Sequence, residues 1–186
     1  MYRKTVVLAG LLVVLSLVFV FQETRSSRRN VVEVPPIQEG IDAVSIAQGA
    51  EELTITRNSG NWLVGSEQYP GDGDAIDRLL EAVRELGEVE VISGRSSYSQ
   101  YELTGSEAYE IAIEQEGTVV LTLTVGGSAA AGNAVYGRVN DGSEVVLLPR
   151  ALRERASVDP TTYRNKLMAD IEESEITGAV LTGEGY

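Results

Sequence analysis

"YEIAIEQEGTVVLTLTV", residues 109 to 125, alternates apolar and polar side chains on both sides of one glycine. Tyr109, Ile111 and Ile113 fall on one face, and Glu110, Ala112 and Glu114 on the other. Beyond Gly117, Val119, Leu121, Leu123 and Val125 align in the same way. A repeat of two is the signature of a half-buried strand, and two such runs about a glycine read as an antiparallel hairpin. One face of that hairpin is apolar and needs covering, so the rest of the chain is read for what pairs with it and what packs on it.

Upstream, "IDAVSIA" (41–47) and "ELTITR" (52–57) are short β-type runs, and "NSGN" turns the chain into "WLV" (62–64). Leu53 and Ile55 share one face, with Trp62 and Val64 on the facing one. Trp62 could serve as a ligand platform, but on the apolar face of a strand it is read as core. "EVEVIS" (88–93) is a further strand, followed by a polar loop through Ala108. Downstream, "GGSAAAGN" (126–133) reads as a flexible connection, since it lacks the Lys-Ser/Thr ending of a phosphate cradle. "AVYGRV" and "EVVLLP" form a hairpin about "NDGS", where Asp141-Gly142 is a tight-turn signal. "RALRERA" and "DPTTYRNKLMADI" read as two helices, the second capped by Asp159 with Pro160 at its first position. "EITGAVLTG" (175–183) closes the chain as a strand.

The covering element is found in "YPGDGDAIDRLLEAV", residues 69 to 83, and it needs a decision. Asp72, Asp74 and Asp77 crowd its start and are the only candidate metal ligands, weak ones. A calcium loop starting at Asp72 needs Asp or Asn fifth, Gly sixth and Glu twelfth, but Ile76, Asp77 and Val83 stand there. A loop starting at Asp74 fails at its third position, again Ile76. Ile76, Leu79, Leu80, Val83 and Leu86 instead make one helical stripe. The spacing predicts a helix with Asp74 as N-cap, Asp77 in the first turn and Gly87 as its stop. Burying five such side chains contributes roughly 8–15 kcal/mol gross. Strands joined by hairpins with helices between them predict an α+β domain on a mostly antiparallel sheet.

With no cysteine and no histidine, thiol chemistry, thiolate zinc sites and every Ser/His arrangement are excluded. No catalytic residue, metal ligand or cofactor is assigned. The net charge is −13, and residues 30–186 alone carry ten basic against 27 acidic side chains, a net −17. Such a surface repels phosphate backbones, so nucleic acid is not expected as a partner.

"TVVLAGLLVVLSLVFVF" (5–21) is 17 residues without a charge. As a helix it measures roughly 26 Å, close to the ~30 Å of a hydrocarbon core. Phe21, Gln22, Glu23 and Arg25 make a poor cleavage site, so the segment reads as an uncleaved single-pass anchor. Basic residues flank it nearly equally; the short tail favours N-in, placing the domain on the periplasmic or outer side of the inner (cytoplasmic) membrane. The expected organisation is therefore tail 1–4, transmembrane anchor 5–21, tether 22–40 around Pro35-Pro36, and extracytoplasmic domain 41–186.

The order of these pieces resembles the domain-of-unknown-function family numbered 4340. The features are "IDAVSIAQGAEELTITRNSGNWLV", "YPGDGDAIDRLLEAVREL", "YEL" (101–103), "LTVGG" (123–127), "VYGRV" leading to "VVLLP", and "YRNKLM". They cover about Ile41 to Leu181. Where that family often has Gly-Leu and a nearby Pro after the tyrosine, this chain has Glu102-Leu103 and Gly105-Ser106. The resemblance implies a membrane-anchored accessory subunit of an ABC-type transporter of the gliding-motility kind, and it brings no catalytic residues with it.

A non-enzymatic interaction module of a transporter or envelope complex is thus the first expectation. A ligand- or calcium-binding module is the alternative, and a hydrolase using pairs such as Glu88/Glu90 or Glu110/Glu114 is the third. Structural weight is expected at Trp62, Asp74, Leu79, Leu80, Val83 and Gly142. Tyr98, Tyr101, Tyr136 and Tyr163 read either as an aromatic surface or as scattered, partly buried residues. "RALRERA" reads as a solvated or charge-balancing face, or as a basic docking face.

Overall fold

Val64, Ile55, Val44, Ile113 and Leu121 stand in one row across five neighbouring strands, each directly beside the next. A second row, Leu53, Ile46, Ile111, Leu123 and Val139, runs beside it. Every member of both rows is buried. The alternation read from the sequence puts these side chains on one face of an antiparallel sheet.

The computed structural model describes residues 30–38, 40–94, 97–130 and 132–167. The strands are β1 (Val31–Glu33), β2 (Ile41–Gln48), β3 (Glu51–Asn58), β4 (Asn61–Val64), β5 (Tyr69–Pro70), β6 (Glu88–Ser93), β7 (Tyr109–Gln115), β8 (Thr118–Ser128), β9 (Ala134–Val139) and β10 (Val145–Pro149). They form one sheet in the order β1-β6-β10-β9-β8-β7-β2-β3-β4-β5, and every pair is antiparallel. Helices α1 (Gly73–Arg84) and α2 (Arg150–Arg155) join the core through the stripe Ile76, Leu79, Leu80, Val83 and through Leu152. The fold is therefore a mostly antiparallel sheet with a few helices, as expected. The anchor 5–21 and the closing strand 175–183 lie outside the described residues, and among the described residues no helix is long and apolar enough to cross a membrane.

Two tight turns need left-handed backbone at both central residues: Ser59 and Gly60 (φ 50° and 89°) between β3 and β4, and Glu116 and Gly117 (φ 51° and 71°) between β7 and β8. That geometry matches strand twist and favours glycine.

Several expectations are corrected. Residues 31–33, expected in the tether, pair with β6, and Val34 is buried with its N–H donating to the Gly87 carbonyl. The domain thus begins ten residues before Ile41. The N-cap of α1 is Asp72, which accepts from Ala75 N–H at 3.1 Å; Asp74, the expected cap, lies in the first turn. Val119 is 56% exposed because the β7–β8 register slips between Ile113 and Glu114, and Val120 turns to the core in its place. One extra residue in a strand reverses which face its neighbours meet. Gly126 and Gly127 belong to β8 and are not a flexible connection.

In the β9–β10 hairpin the left-handed residue is Asn140 (φ 51°), whose side-chain oxygen accepts from Thr122 N–H; Gly142 donates its N–H to the Val139 carbonyl and accepts from Arg138. The long helix expected from Asp159 is a single 3-10 turn, Pro160–Thr162, with Asp159 as cap. Beyond it Arg164 bridges to Gly71, Tyr163 accepts from Asp72 N–H, and Asn165 donates to the Pro70 carbonyl. Completing the edge of β5 satisfies these backbone groups in place of continuing the helix.

Candidate functional site

Opposite the helical face, residues 97–108 form a strap across β8 and β9. It contains two 3-10 turns, Tyr98–Tyr101 and Gly105–Glu107. Leu103, Ala108, Ala129 and Val145 are all buried, yet none belongs to the main core cluster.

The strap lies close because β8 carries glycines beneath it. A Cβ on Gly126 would meet the Tyr101 carbonyl oxygen at 2.4 Å and Leu103 at 2.9 Å, and one on Gly127 would meet the Glu102 carboxylate at 2.7 Å. Glu102 itself is left-handed, with φ 55°. Polar pins hold the ends: Tyr98 hydroxyl donates to the Ser143 carbonyl (3.0 Å), and Gln48 donates to the Ser106 carbonyl (3.1 Å). Arg153 reaches from α2 to the carbonyls of Glu107 (3.1 Å) and Gly126 (2.7 Å), with its guanidinium over the Tyr109 ring.

Three of the four singled-out tyrosines take part in contacts of the strap, two of them with each other. Tyr101 and Tyr136 touch with ring centroids 4.6 Å apart, and Arg138 stands over Tyr98 at 4.7 Å while donating to the Gly142 carbonyl. Tyr163 does not join them. It is buried at the other side, its hydroxyl donating to the Arg155 carbonyl, and burial raises its pKa above the ordinary value. The exposed carboxyl of Asp159 is held below its usual pKa by the Thr161 hydroxyl and N–H.

The other candidates resolve into structure. The carboxylate of Asp72 is engaged in capping; Asp74 and Asp77 are exposed on α1. Among the described residues, no group of three His, Cys, Asp or Glu side chains is placed to hold a metal ion. Trp62 packs on the core with Arg57 over its ring, and Leu79, Leu80 and Val83 are buried. In "RALRERA", Arg153 and Arg155 are ties to neighbouring backbone, and Arg150 pairs with Glu154 on the surface. Glu88 and Glu90 are exposed and stand beside Glu33 and Val31.

The family model described as "Domain of unknown function (DUF4340)" matches residues 62–185. The chain belongs to this family. The DUF4340 region begins at Trp62, in β4, and takes in the Asp72-capped helix, the strap, its glycine bed and the β9–β10 hairpin. Strands β1 to β3 precede it, so the resemblance read from Ile41 onward reaches further than the match. No curated protein and no solved structure matches the chain. Sequence reading missed the strap as an element; the one signal for it was the Gly-Gly pair inside an alternating run.

Proposed function

We propose that this DUF4340 chain is a membrane-anchored, extracytoplasmic, non-enzymatic module that assembles with an ABC-type transporter or another envelope complex. The observation that carries the reading is the distance between the uncharged run 5–21 and the first strand. Only residues 22–30 separate them. Nine residues reach about 30 Å at full extension, so the folded domain works beside a bilayer if the run is inserted. The strap face supports the same reading, because tyrosine and arginine are the residue types that protein interfaces favour. Here they are held rigid by their mutual contacts, which lowers the entropy cost of docking.

Extraction of the full chain in mild detergent, followed by identification of what co-purifies, tests the proposal. Recovery of a permease or ATPase of the ABC type supports it. Recovery of no other polypeptide, even after crosslinking, counts against it.

A further inference from the structure

The tyrosines among the described residues differ in one respect that governs oxidation, namely what stands over each ring. Arg164 lies over Tyr69 at 5.4 Å, Arg138 over Tyr98 at 4.7 Å and Arg153 over Tyr109 at 5.6 Å. A cation over a ring face opposes removal of an electron from that ring. Trp62, the one tryptophan, is covered in the same way by Arg57. Tyr163 is buried, and its hydroxyl donates to the Arg155 carbonyl, a base too weak to take the proton that an oxidised phenol must release.

Tyr101 and Tyr136 are different. Each has the other as its ring partner, with centroids 4.6 Å apart and planes at 57°. That separation is at the close end of the ~4.5–7 Å range of aromatic pairs. Both residues are also fixed from below. The Tyr101 carbonyl lies on Gly126, where a Cβ would meet it at 2.4 Å, and Tyr136 stands within β9 beside Leu147 of β10. Two phenols held in contact couple far faster, once oxidised, than phenols that must meet by diffusion.

We propose that Tyr101 and Tyr136 form an oxidative crosslinking site, at which a one-electron oxidant of the peroxidase class joins the two phenols and staples the strap to β9. Each phenol gives one electron to the oxidant and one proton to water, leaving a phenoxyl radical whose unpaired electron is shared by the ring carbons beside the oxygen. A carbon–carbon bond forms between one such carbon on each ring. The hydrogen on each of these carbons then moves, through water, to the phenoxyl oxygen, and both rings become aromatic again. The pair loses two hydrogen atoms in all, and one hydrogen peroxide, reduced to two waters, takes them up. With no cysteine in the chain, no thiol intercepts the radicals and no disulfide fastens the strap. The hydrogen bonds from Tyr98 to Ser143 and from Gln48 to Ser106 pin its ends, so a bond at Tyr101 secures the middle. The strap can then no longer lift from β8 without carrying β9 with it.

The test treats full-length protein in detergent with hydrogen peroxide and a haem peroxidase. N-acetyltyrosine in a parallel tube shows that phenols couple under the same conditions. The expected product keeps the mobility of the monomer on a denaturing gel and shows dityrosine fluorescence. Glutamate-specific cleavage cuts after Glu102 and Glu116 and so parts the two positions. It should yield a peptide pair joined through Tyr101 and Tyr136, lighter than its parts by two hydrogens. Tyr136→Phe, which keeps a ring against Tyr101, should reduce that product to background, while Tyr98→Phe leaves it in place. Hydrogen exchange over 98–107 should slow in the crosslinked protein. Absence of the product where N-acetyltyrosine couples, a crosslink between other tyrosines in its place, equal yield from Tyr136→Phe, or unchanged exchange in the strap overturns the inference. The readout is a bond within one chain, so it stands apart from the recovery of transporter subunits.

Discussion

The backbone carbonyl of Tyr101 crosses directly over Gly126, leaving no room for a side chain between strap and strand. Gly126→Ala would force the strap outward, since a strand backbone on one side and a carbonyl on the other give little. The expected cost is about 1–3 kcal/mol, the range for overpacking. Thermal melts report the loss, and hydrogen exchange over 98–107 reports its place. Unchanged exchange in the strap would show that this close approach matters little.

Asp72, and not Asp74, accepts from the Ala75 N–H. Asp72→Ala should therefore cost about 1 kcal/mol in urea unfolding, as loss of an N-cap does. Asp72→Asn should cost far less, because asparagine caps equally well. Asp74→Ala removes only a favourable charge from the first turn, and a few tenths of a kcal/mol are expected, near the lower end of ~0.3–1. Equal losses for the two alanine variants would reject the assignment.

Leu80 is 1% exposed and sits in the middle of the apolar stripe of α1. Leu80→Asp buries a charge with no partner and should abolish cooperative unfolding altogether. Asp77→Asn, on the exposed side of the same helix, should melt within a degree or two of the parent. Far-ultraviolet circular dichroism against temperature distinguishes the two.

A Cβ on Gly137 would lie 2.2 Å from a methyl of Leu148 and 3.0 Å from the Thr124 carbonyl oxygen. Gly137→Ala is thus expected to destabilise by about 1–3 kcal/mol. Pairing it with Leu148→Val, which withdraws part of the clashing side chain, should recover some of that loss. A double-mutant cycle measures the coupling, and simple additivity would contradict the contact.

Tyr163 is buried and its pKa is raised, so its neutral form is the one the fold accommodates. Below the ordinary tyrosine value of about 10, folded and unfolded chains both hold the proton and the stabilisation is whole. As pH climbs past that value the unfolded chain ionises first, and stability falls until the folded tyrosine ionises too. Melting temperatures should drop between pH 9.5 and 11 in steps that Tyr163→Phe flattens, although that variant starts lower for want of the hydrogen bond to Arg155. An equal alkaline slope in both proteins would assign the effect elsewhere.

The parts legible in the sequence are those in which local period and core face coincide. Ile111, Ile113, Leu121 and Leu123 alternate as strands do, and Ile76, Leu79, Leu80 and Val83 recur as a helix does; all are buried where expected. Those elements fail to reveal Val120, because a bulge is set by how two strands fit and leaves no mark in either one alone. The helix expected from Asp159 also had a sound local signal, and Asp159 and Pro160 do start a turn. What stopped it was an unfilled sheet edge about ninety residues earlier, which Arg164 and Asn165 complete.

The strap follows the same logic. Its polar composition suggested a plain loop, yet Leu103 is buried and Tyr101 and Tyr136 touch, since residues 126–127 leave a bed for it. By itself, then, the order of apolar and polar side chains determined the strands, the helix stripe and the antiparallel class, because those depend on repeats of two and 3.6 within a few residues. Tertiary structure alone decided the cap at Asp72, the strap, the turning of Val120 and the pairing of Val31–Glu33 with β6. Each of these depends on which backbone groups a distant segment has already satisfied, and that is information no local window holds.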